Sequence, residues 1–466
     1  MSGKQNWTRS HLADDLVDKN ISDDLVDKNI RVAGWIEDIR DIGKLGFVSL
    51  RDFTGTMQIV VAGDLLSEMR MIPRQSCILV EGKVQRSKAK NVDFEIKANK
   101  IFLLSKAIPP LPIDPTGRVE SSTDKRLDSR ALDLRDPKVS AIFRLRSFAL
   151  QAIRDFLRSR RFTEVNTPKI IGTSTEGGAN LFRCDYFGKN AYLAQSPQLY
   201  KEQLTVGLER VFEIGPYFRA EKSHTVRHLA EFTSVDVEAA FLDYTDVMEI
   251  VADLVRKVIY DLVRLCDADF KMTWQKIADT SVASQSQDEA IHKMKESFGI
   301  SNDTIVGSSE LKIEQLTYEK ALDELRGLGE HLSFGDDLSD TALRKLGDLH
   351  KGFYFITDWP MSLKPFYIHE KEGNQELSCS FDLQFGYLEL VSGGRRQHDP
   401  DKLKNRIIEQ GLDPSGFEDH LKVFHWGMPP HSGWGLGIDR LMMVLTNSQN
   451  VREVVLYPRD ADRLRP

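Results

Sequence analysis

FEIGPYFRAEKSHTVRHLAEFTSVDVE, residues 212–238, is the stretch that decides the fold of this chain. Apolar residues alternate through Phe212–Phe218 and recur, with a break in the alternation, through Phe232–Val237. Alternation with a period of two predicts half-buried strands. The polar segment Lys222–Leu229 predicts the loop that joins them. We therefore expect a long antiparallel hairpin.

This hairpin concentrates charge around its loop. The strand ends and the loop carry Arg219, Glu221, Arg227, His228 and Asp236. Guanidinium groups neutralise phosphate oxygens, and the flat ring of Phe232 offers a stacking face for an aromatic base. The composition favours a nucleotide-binding platform. Ion pairs on the surface of an ordinary hairpin explain this stretch about equally well, so other parts of the sequence are needed to choose between the two interpretations.

Two other stretches favour the nucleotide. The segment Gly433–Arg440, GWGLGIDR, places three glycines before the apolar helix LMMVL, with Arg440 at the helix entrance. Glycine lets a backbone approach a ligand closely, and an arginine at a helix start meets phosphate. The segment Ala194–Leu204, AQSPQLYKEQL, has Pro197 at a predicted helix start, followed by Lys201. Taken alone, Lys201 would be an ordinary surface lysine.

Five stretches carry a family resemblance. The chain contains, in this order, TSTEGGANLF, QSPQLYK, FRAEKSHTVRHLAEFTSVDVE, LELVSGGRRQHD and GMPPHSGWGLGIDR. They resemble the motifs of class II aminoacyl-tRNA synthetases, and most closely those of aspartyl-tRNA synthetases of the archaeal and eukaryotic type. The resemblance runs from about Arg31 to Pro466. It implies an aspartate–tRNA ligase that activates L-aspartate with ATP to aspartyl-adenylate and transfers it to the 3′ end of tRNA(Asp). It leaves open whether tRNA(Asn) is also charged.

Two other functions fit parts of the sequence. The sister asparagine enzyme would bind a neutral amide, and its SGG-x-R run should differ. A non-catalytic paralogue that binds tRNA or protein would have lost some of Arg219, Arg396 and Arg440, which are all present. Glu37, directly after GWI, is a position where we expect the choice between the two tRNAs to be made, and it matches neither expected pattern.

Composition sets outer bounds on the function. With 466 residues, of which 41% are hydrophobic and 29% charged, the chain predicts a protein of two to four domains. No apolar run approaches the roughly 20 residues of a membrane span, and the N-terminus lacks a signal core, so we expect a cytoplasmic location without membrane contact. The four scattered cysteines predict reduced thiols, not a zinc site. A net charge of −7 means that any tRNA contact depends on local basic patches.

The first 106 residues predict a small barrel. Five strand-like runs follow one another between Arg31 and about Lys106, which fits a five-stranded OB-type barrel. By resemblance, Phe47, Gln58 and Glu95 contact the tRNA anticodon, with Phe47 stacking on a base. Without the family, a core aromatic is the favoured interpretation of Phe47. Residues 107–135 form a hinge region that begins with four prolines in eleven residues.

The resemblance assigns residues 136–466 to the catalytic domain. The fold class is α+β: a class II synthetase domain built on an antiparallel sheet flanked by helices, with a helical insertion at about 246–351. That range looks charged and amphipathic, typical of surface helices. A helical pattern runs from Val139 to Arg160, followed by a strand. This resembles the motif that forms the dimer interface of the family, so the resemblance implies a homodimer.

The resemblance also assigns the aspartate pocket. Arg396 holds the substrate's side-chain carboxylate through a bidentate contact, for which Arg395 is the less favoured candidate. Asp236 takes the ammonium group and Lys201 the substrate carboxylate. The full set implied for aspartate is Glu176, Ser196, Gln198, Lys201, Asp236, Ser392 and Arg396. Those implied in catalysis are Lys201, Arg219 and Arg440, which act by positioning and charge neutralisation because activation needs no side-chain nucleophile.

The ATP site and its metal complete the assignment. The residues implied for ATP are Arg219, Glu221, Arg227, His228, Leu229, Phe232, Glu389, Gly437 and Arg440, with adenine on Phe232, the α-phosphate at Arg219 and the γ-phosphate at Arg440. Asp382 and Glu389 lie seven residues apart around a probable strand, with Ser392 close by. Hard oxygen ligands suit Mg²⁺, so these residues could share the ion. The resemblance implies Glu389 and Ser392 as the metal positions, with Asp382 in support. A pair of surface carboxylates is the alternative.

Overall fold

The structure is a computed structural model that describes residues 7–16, 23–89, 92–173, 181–221, 225–274, 298, 311 and 313–466. The chain divides into two compact units, Met1–Pro137 and Lys138–Pro466. Among the described helices, none combines the length and the apolar character needed to cross a membrane. The four cysteines are free thiols.

The first unit is built on a closed five-stranded barrel. Its strands pair in the order β1 (Asn29–Asp41), β2 (Leu45–Arg51), β3 (Thr56–Ala62), β5 (Phe94–Ser105) and β4 (Cys77–Arg86). Alternate residues of each strand point inward, as Val48 and Leu50 do in β2, and fill the barrel. The predicted five-stranded barrel is confirmed. The sequence reading missed the helix α1 (Asp64–Arg70), which lies between β3 and β4.

Two short helices, α2 (Thr123–Asp128) and α3 (Arg130–Asp133), end the first unit. Arg130 is almost fully buried and pairs with Asp133 at 2.9 Å, and Arg126 pairs with the same carboxylate, also at 2.9 Å. Two guanidinium groups on one carboxylate satisfy charges that would otherwise be costly to bury. The segment predicted only as a hinge region therefore contains structured helices.

The second unit contains an eight-stranded sheet. The strands pair in the order β12 (Glu314–Thr317), β13 (Phe353–Thr357), β16 (Ser380–Phe385), β17 (Leu388–Arg395), β18 (His431–Gly437), β11 (Glu231–Ala240), β10 (Arg210–Phe218) and β6 (Thr163–Glu164). Strands β10 and β11 form the predicted hairpin, with Arg210 opposite Ala239 and Phe218 opposite Glu231. Six strands pair antiparallel, whereas the edge strands β6 and β12 pair parallel to their neighbours. The sheet is thus mixed at its edges.

Smaller elements surround this sheet. Three short strands form a separate sheet, β7 (Ile170–Ile171), β9 (Lys189–Leu193) and β8 (Arg183–Tyr186), and β14 (Glu370–Lys371) pairs with β15 (Asn374–Ser378). The helices are α4 (Pro137–Ser159), α5 (Gln198–Leu208), α6 (Tyr244–Leu265), α7 (Asp267–Trp274), α8 (Tyr318–Gly327), α9 (Asp340–Leu349), α10 (Pro400–Glu409), α11 (Glu418–Phe424) and α12 (Ile438–Leu445). Short 3-10 turns occur at Asp14–Leu16, Met361–Leu363, Pro414–Phe417 and Val451–Glu453.

The helix α6 corrects the predicted insertion. It begins at a capping box formed by Asp243 and Asp246, and its apolar face packs into the same core as β11, β17 and β18. Side chains such as Leu254 and Val258 are fully buried there, and burying each stabilises the fold by about 1.5–3 kcal/mol. The interpretation of this range as surface helices from about 246 onward is wrong for α6. It also overlooked β12, which the crossover through α8 and α9 places parallel to β13.

Candidate active site

A cavity of about 440 Å³ opens on the face of the sheet opposite this core. It brings together most of the predicted site residues: Ser196, Gln198, Lys201, Arg219, Glu221, Arg227, His228, Leu229, Phe232, Asp236, Glu389, Ser392, Arg396, Gly437 and Arg440. Asp382 lies next to the wall without lining it. Glu176 lies outside the described residues. A span of 245 positions in the chain, from Ser196 to Arg440, thus converges on one cavity.

Glycines at the centre of the sheet make room for this cavity. Across the strands β11, β18 and β17, Gly435 lies between Asp236 and Ser392, and Gly433 lies between Glu238 and Gly394. A Cβ atom on Gly433 would lie 2.1 Å from the backbone oxygen of Val237 and 2.2 Å from Glu238 Oε2. The carboxylates of Asp236 and Glu238 can therefore lie over the neighbouring strand only because the positions opposite them, Gly435 and Gly433, have no side chains.

The amino-acid end of the cavity is a buried cluster of paired charges. Arg396 Nε lies 3.0 Å from Glu238 Oε1, and its Nη2 lies 3.2 Å from Oε2, a bidentate contact. Lys201 Nζ lies 3.1 Å from Asp236 Oδ1 and 3.5 Å from Glu238 Oε2. Arg396 and Lys201 are each 3% exposed. Arg395, by contrast, contacts the exposed Glu372 at 3.5 Å, so its guanidinium has a partner outside the cavity wall.

Sequence reasoning missed Glu238. Its side chain is fully buried and holds the guanidinium of Arg396 in a fixed plane. The signal was present, because Glu238 follows Asp236 by two positions on a predicted strand and must face the same side. What hid it is the long-range pairing with Arg396, 158 positions away in the chain.

A second buried layer lies beside Glu238. Glu202 of α5 accepts a hydrogen bond of 2.6 Å from Gln198, and its other oxygen lies 3.5 Å from His431 Nε2 and 3.8 Å from His420 Nε2. Burial by itself would raise the pKa of Glu202, but His431 and His420 outweigh it and lower that pKa. Burial opposes a charge on His431, and Glu202 overcomes it and raises the pKa of His431. Sequence reasoning did not identify this layer.

The opposite end of the cavity is lined by arginines and an aromatic ring. The guanidinium of Arg219 lies 5.4 Å from the centre of the Phe232 ring. Arg440 donates a hydrogen bond of 2.8 Å to the backbone oxygen of Glu389. Burial and then the positive charge of Arg440 lower the pKa of His228, so its imidazole is neutral at pH 7. Cationic forks beside a flat ring can bind a nucleotide by charge at one end and stacking at the other.

An irregularity in β17 sets the direction of two predicted metal ligands. Glu389 and Ser392 are three positions apart and would face opposite sides of a regular strand. The pairing shifts here, since Leu383 is opposite Val391 and Gln384 is opposite Glu389. Leu390 is the extra residue of a β-bulge, and both Leu390 and Val391 pack into the core. Glu389 and Ser392 consequently both face the cavity.

The three predicted metal positions fit an ion that is also bound by the substrate better than an ion bound by protein side chains alone. No cluster of three or more His, Cys, Asp or Glu side chains within the described part of the chain could hold a metal ion. Asp382 and Ser392 are opposite each other on β16 and β17. Asp382 Oδ1 is buried without a hydrogen bond, while Oδ2 lies 2.9 Å from Lys364 Nζ. Desolvation in the cavity and then the charge of Asp382 raise the pKa of Glu389, although 45% of its side chain is exposed to solvent. A cation between these two carboxylates would relieve their repulsion.

The barrel presents its own candidate site. Phe47 is half-buried on the outer face of β2 and lies outside the barrel core, so the core-aromatic alternative does not hold. Glu95 is buried and accepts hydrogen bonds from Gln58 at 2.7 Å, from Gln85 at 2.7 Å and from Ser87 at 3.0 Å. Glu95 therefore fixes the amide of Gln58, and the two predicted residues form one polar unit.

Comparison with known families gives two matches. Residues 122–461 match the family described as tRNA synthetases class II (D, K and N). Residues 30–104 match the OB-fold nucleic acid binding domain. The first match contains every residue of the cavity wall, and the second contains Phe47, Gln58 and Glu95.

Individual relatives cover nearly the whole chain. The aspartate–tRNA(Asp/Asn) ligase of Methanothermobacter thermautotrophicus is 40% identical over 96% of this chain and 97% of its own. The aspartate–tRNA(Asp) ligase of Thermoplasma acidophilum is 41% identical over 93% and 96%. Among solved structures, the asparaginyl-tRNA synthetase of Pyrococcus horikoshii with asparaginyl-adenylate gives a TM-score of 0.84 at 31% identity, over 95% of this chain and 97% of that chain. A putative aspartyl-tRNA synthetase of Leishmania major gives 0.85 at 29%, over 100% and 97%.

Proposed function

Because the chain belongs to the class II tRNA synthetases of the D, K and N group, and among them to the aspartate–tRNA ligases, we propose that its cavity joins L-aspartate to ATP and that its barrel binds the tRNA anticodon. ATP is a substrate of such enzymes, and the products of activation are aspartyl-adenylate and diphosphate. The aspartyl group then passes to the 3′ end of the tRNA. The roles given below to individual residues belong to this proposal.

The environment of Arg396 is the observation that supports aspartate as the amino-acid substrate. Its Nε and one N–H of Nη2 are taken by Glu238, which leaves three of the five guanidinium N–H donors. These donors suit the two acceptor oxygens of an aspartate side chain. The side-chain amide of asparagine has only one acceptor oxygen. Its NH₂ group would face the N–H donors of Arg396 unless Arg396 contacted the amide oxygen alone. Since an asparaginyl-tRNA synthetase shares this fold, the fold by itself does not decide between the two amino acids.

Activation can proceed by positioning and charge neutralisation. The substrate carboxylate has to approach the α-phosphorus of ATP in line with the departing diphosphate, and both groups are negative. Lys201 would orient the amino acid and Asp236 would bind its ammonium group. Arg219 and Arg440 would bind phosphate oxygens and stabilise the charge that develops on them. Bound Mg²⁺ would neutralise further charge on the phosphates, and Asp382, Glu389 and Ser392 are the residues that would hold it.

ATP–pyrophosphate exchange tests this function directly. We expect exchange with aspartate and none above background with asparagine, followed by charging of tRNA(Asp). Exchange with asparagine alone would identify the sister asparagine enzyme and overturn the proposal. Absence of exchange with either amino acid, in protein that still binds tRNA, would favour the non-catalytic alternative.

The Mg²⁺ site gives a more specific prediction. Glu389→Gln keeps the size of the side chain but removes a charge that the cation would share with the ATP phosphates. We expect the Mg²⁺ concentration for half-maximal exchange to rise several-fold, about 1 kcal/mol for a hydrogen-bonded or ion-paired contact. The measurement is a Mg²⁺ titration of exchange at saturating ATP. A titration curve that overlays that of the parent protein would place the metal elsewhere.

The barrel gives an independent prediction. If Phe47 stacks on an anticodon base, Phe47→Ala should weaken tRNA binding by about 1–3 kcal/mol. Exchange without tRNA should stay unchanged, because Phe47 belongs to a different unit from the cavity. Phe53, which is 64% exposed on the barrel, provides the matched control, and Phe53→Ala should leave tRNA affinity near the parent value. A drop in exchange for folded Phe47→Ala protein would contradict the assignment of tRNA binding to the barrel and of activation to the cavity.

The tRNA choice is also part of the proposal. Glu37 receives two hydrogen bonds from Arg51, of 3.0 and 2.6 Å, and one of 3.2 Å from Ser49. Arg51 lies on β2 with Phe47, and Glu37 lies on the neighbouring strand β1, so the pair is a candidate determinant for one anticodon base. Relatives are named for tRNA(Asp) alone or for both tRNAs, and we include tRNA(Asn) as a second substrate. Charging assays with both tRNAs test this point.

The remaining family properties are a homodimer and a cytoplasmic location. Their support is the resemblance of the α4 region to the dimer motif and the class of enzyme. Light scattering of the purified protein, which would give a mass near twice 53.0 kDa, tests the dimer.

A further inference from the structure

The helix α9 touches the candidate ATP site from outside the sequence motifs. Asp340, Arg344 and Gly347 are spaced by four and three positions, so they lie along one stripe of this helix. A Cβ atom on Gly347 would lie 2.5 Å from the backbone carbon of Gly386 and 2.8 Å from the backbone nitrogen of Tyr387. The stripe is therefore packed tightly against the β16–β17 turn, two residues before Glu389.

Arg227 joins this stripe to the cavity. Its guanidinium lines the cavity wall and also forms an ion pair with Asp340. The same guanidinium lies 6.0 Å from the centre of the Tyr387 ring, and that of Arg344 lies 3.8 Å from it. The side chain of Arg227 is 14% exposed, whereas that of Asp340 is 55% exposed. One ring thus positions two arginines, and one carboxylate of α9 neutralises the arginine on the wall.

The positive charges around Arg227 indicate the role of Asp340. Burial lowers the pKa of Arg227, and the positive charges of Arg440 and Arg344 lower it further. Three neighbouring arginines repel one another and need anions. The triphosphate of ATP would supply several negative charges, but it would also meet the carboxylate of Asp340. Asp340 and a phosphate group are then alternative partners of the same guanidinium.

We propose that Asp340 is a positioning residue that occupies the place of an ATP phosphate group on Arg227 until ATP binds, and that Arg344, on the same stripe, adds to the attraction for that phosphate. The inference rests on the proposed role of Arg227 in ATP binding. It makes α9, a helix outside the signature motifs, a determinant of ATP affinity. Removing the charge of Asp340 should strengthen ATP binding, whereas removing that of Arg344 should weaken it.

Calorimetric titration of the full-length protein with Mg²⁺–ATP, in the absence of aspartate, measures these affinities. For Asp340→Asn we expect the Kd for ATP to fall by about two- to fivefold, the range of a partly exposed ion pair. For Arg344→Gln we expect a rise of about the same size. Both shifts should shrink in 1 M salt, where the screening length is about 3 Å. Asp323→Asn, which makes the same charge change at an exposed ion pair with Arg326 on the helix α8, is the control and should leave Kd unchanged.

A double variant separates this inference from the proposed function. Arg227→Gln should weaken ATP binding, and in that background Asp340→Asn should have no effect, because the shared partner is gone. Unchanged binding in Arg227→Gln would refute the ATP role of Arg227 itself. Weaker binding in Arg227→Gln together with an unchanged or higher Kd in Asp340→Asn would overturn the inference alone. A general loosening of α9 would shift Asp340→Asn and Arg344→Gln in the same direction, and that result would also overturn it.

Discussion

Arg396→Lys should lower aspartate-dependent ATP–pyrophosphate exchange by roughly 10²-fold or more, at about 1.4 kcal/mol per factor of ten. Lysine keeps the positive charge but cannot hold Glu238 through two parallel hydrogen bonds and still present donors to a substrate carboxylate. The fully buried Glu238 would then lose its fixed partner, and the nearby Lys201 would be drawn toward it. The loss should be visible in kcat/KM for aspartate.

Arg395→Lys is the matched control for this variant. The adjacent guanidinium contacts an exposed glutamate and does not line the cavity, so exchange should stay within about threefold of the parent value. Thermal unfolding of both variants distinguishes a catalytic defect from a folding defect. Full exchange activity in Arg396→Lys combined with a large loss in Arg395→Lys would exchange the roles of the two arginines.

Gly433→Ala should have the second-largest effect. Its methyl group would lie 2.2 Å from Glu238 Oε2 and 2.1 Å from the backbone of the neighbouring strand, so either β18 or the buried carboxylate has to move. We expect the free energy of unfolding to fall by about 1–3 kcal/mol or more, as for other overpacked cores. Exchange should fall at least about tenfold, because a displaced Glu238 no longer orients Arg396. Denaturant unfolding and exchange assays on the same preparation measure both effects.

Gly437→Ala is the control for stability. It lies on the same strand and face, but the nearest atom to its Cβ position is 3.8 Å away, so the free energy of unfolding should fall by no more than about 1 kcal/mol, the cost of alanine at the N-cap of α12. A parent-like stability and activity of Gly433→Ala would mean that the sheet centre tolerates side chains and that the glycine row is not what opens the cavity.

The predictions that proved right depend on local patterns. Alternation of apolar residues predicted the β10–β11 hairpin, because a strand's period is set by its own backbone, and short strand-like runs predicted the five barrel strands. The resemblance to known motifs supplied a candidate residue set, of which the described members other than Asp382 and the barrel residues share one cavity. Local patterning failed for α6, whose charged face resembled a surface helix although its opposite face is core.

The features missed from the sequence are pairings between distant positions. The contact of Glu238 with Arg396 and that of Arg227 with Asp340 join residues 158 and 113 positions apart. No local spacing encodes such contacts, since they arise only when strands and helices are brought together. The helix α1 was missed for another reason: its seven residues lie between two strands and are too few for a clear helical period.

Because of the bulge at Leu390, the strand β17 can lose one residue at this position without losing the orientation of its ligand-facing side chains. A relative that lacks one residue between the counterparts of Glu389 and Ser392 would have them two positions apart, and a regular strand would still turn both toward the ligand. The deletion would remove the bulge, and every following side chain of the strand would stay on the same face of the sheet. Loss of a residue between Ser392 and Gly394 has no such compensation and would invert every side chain beyond it. Gaps in this strand are therefore expected to accumulate at one position.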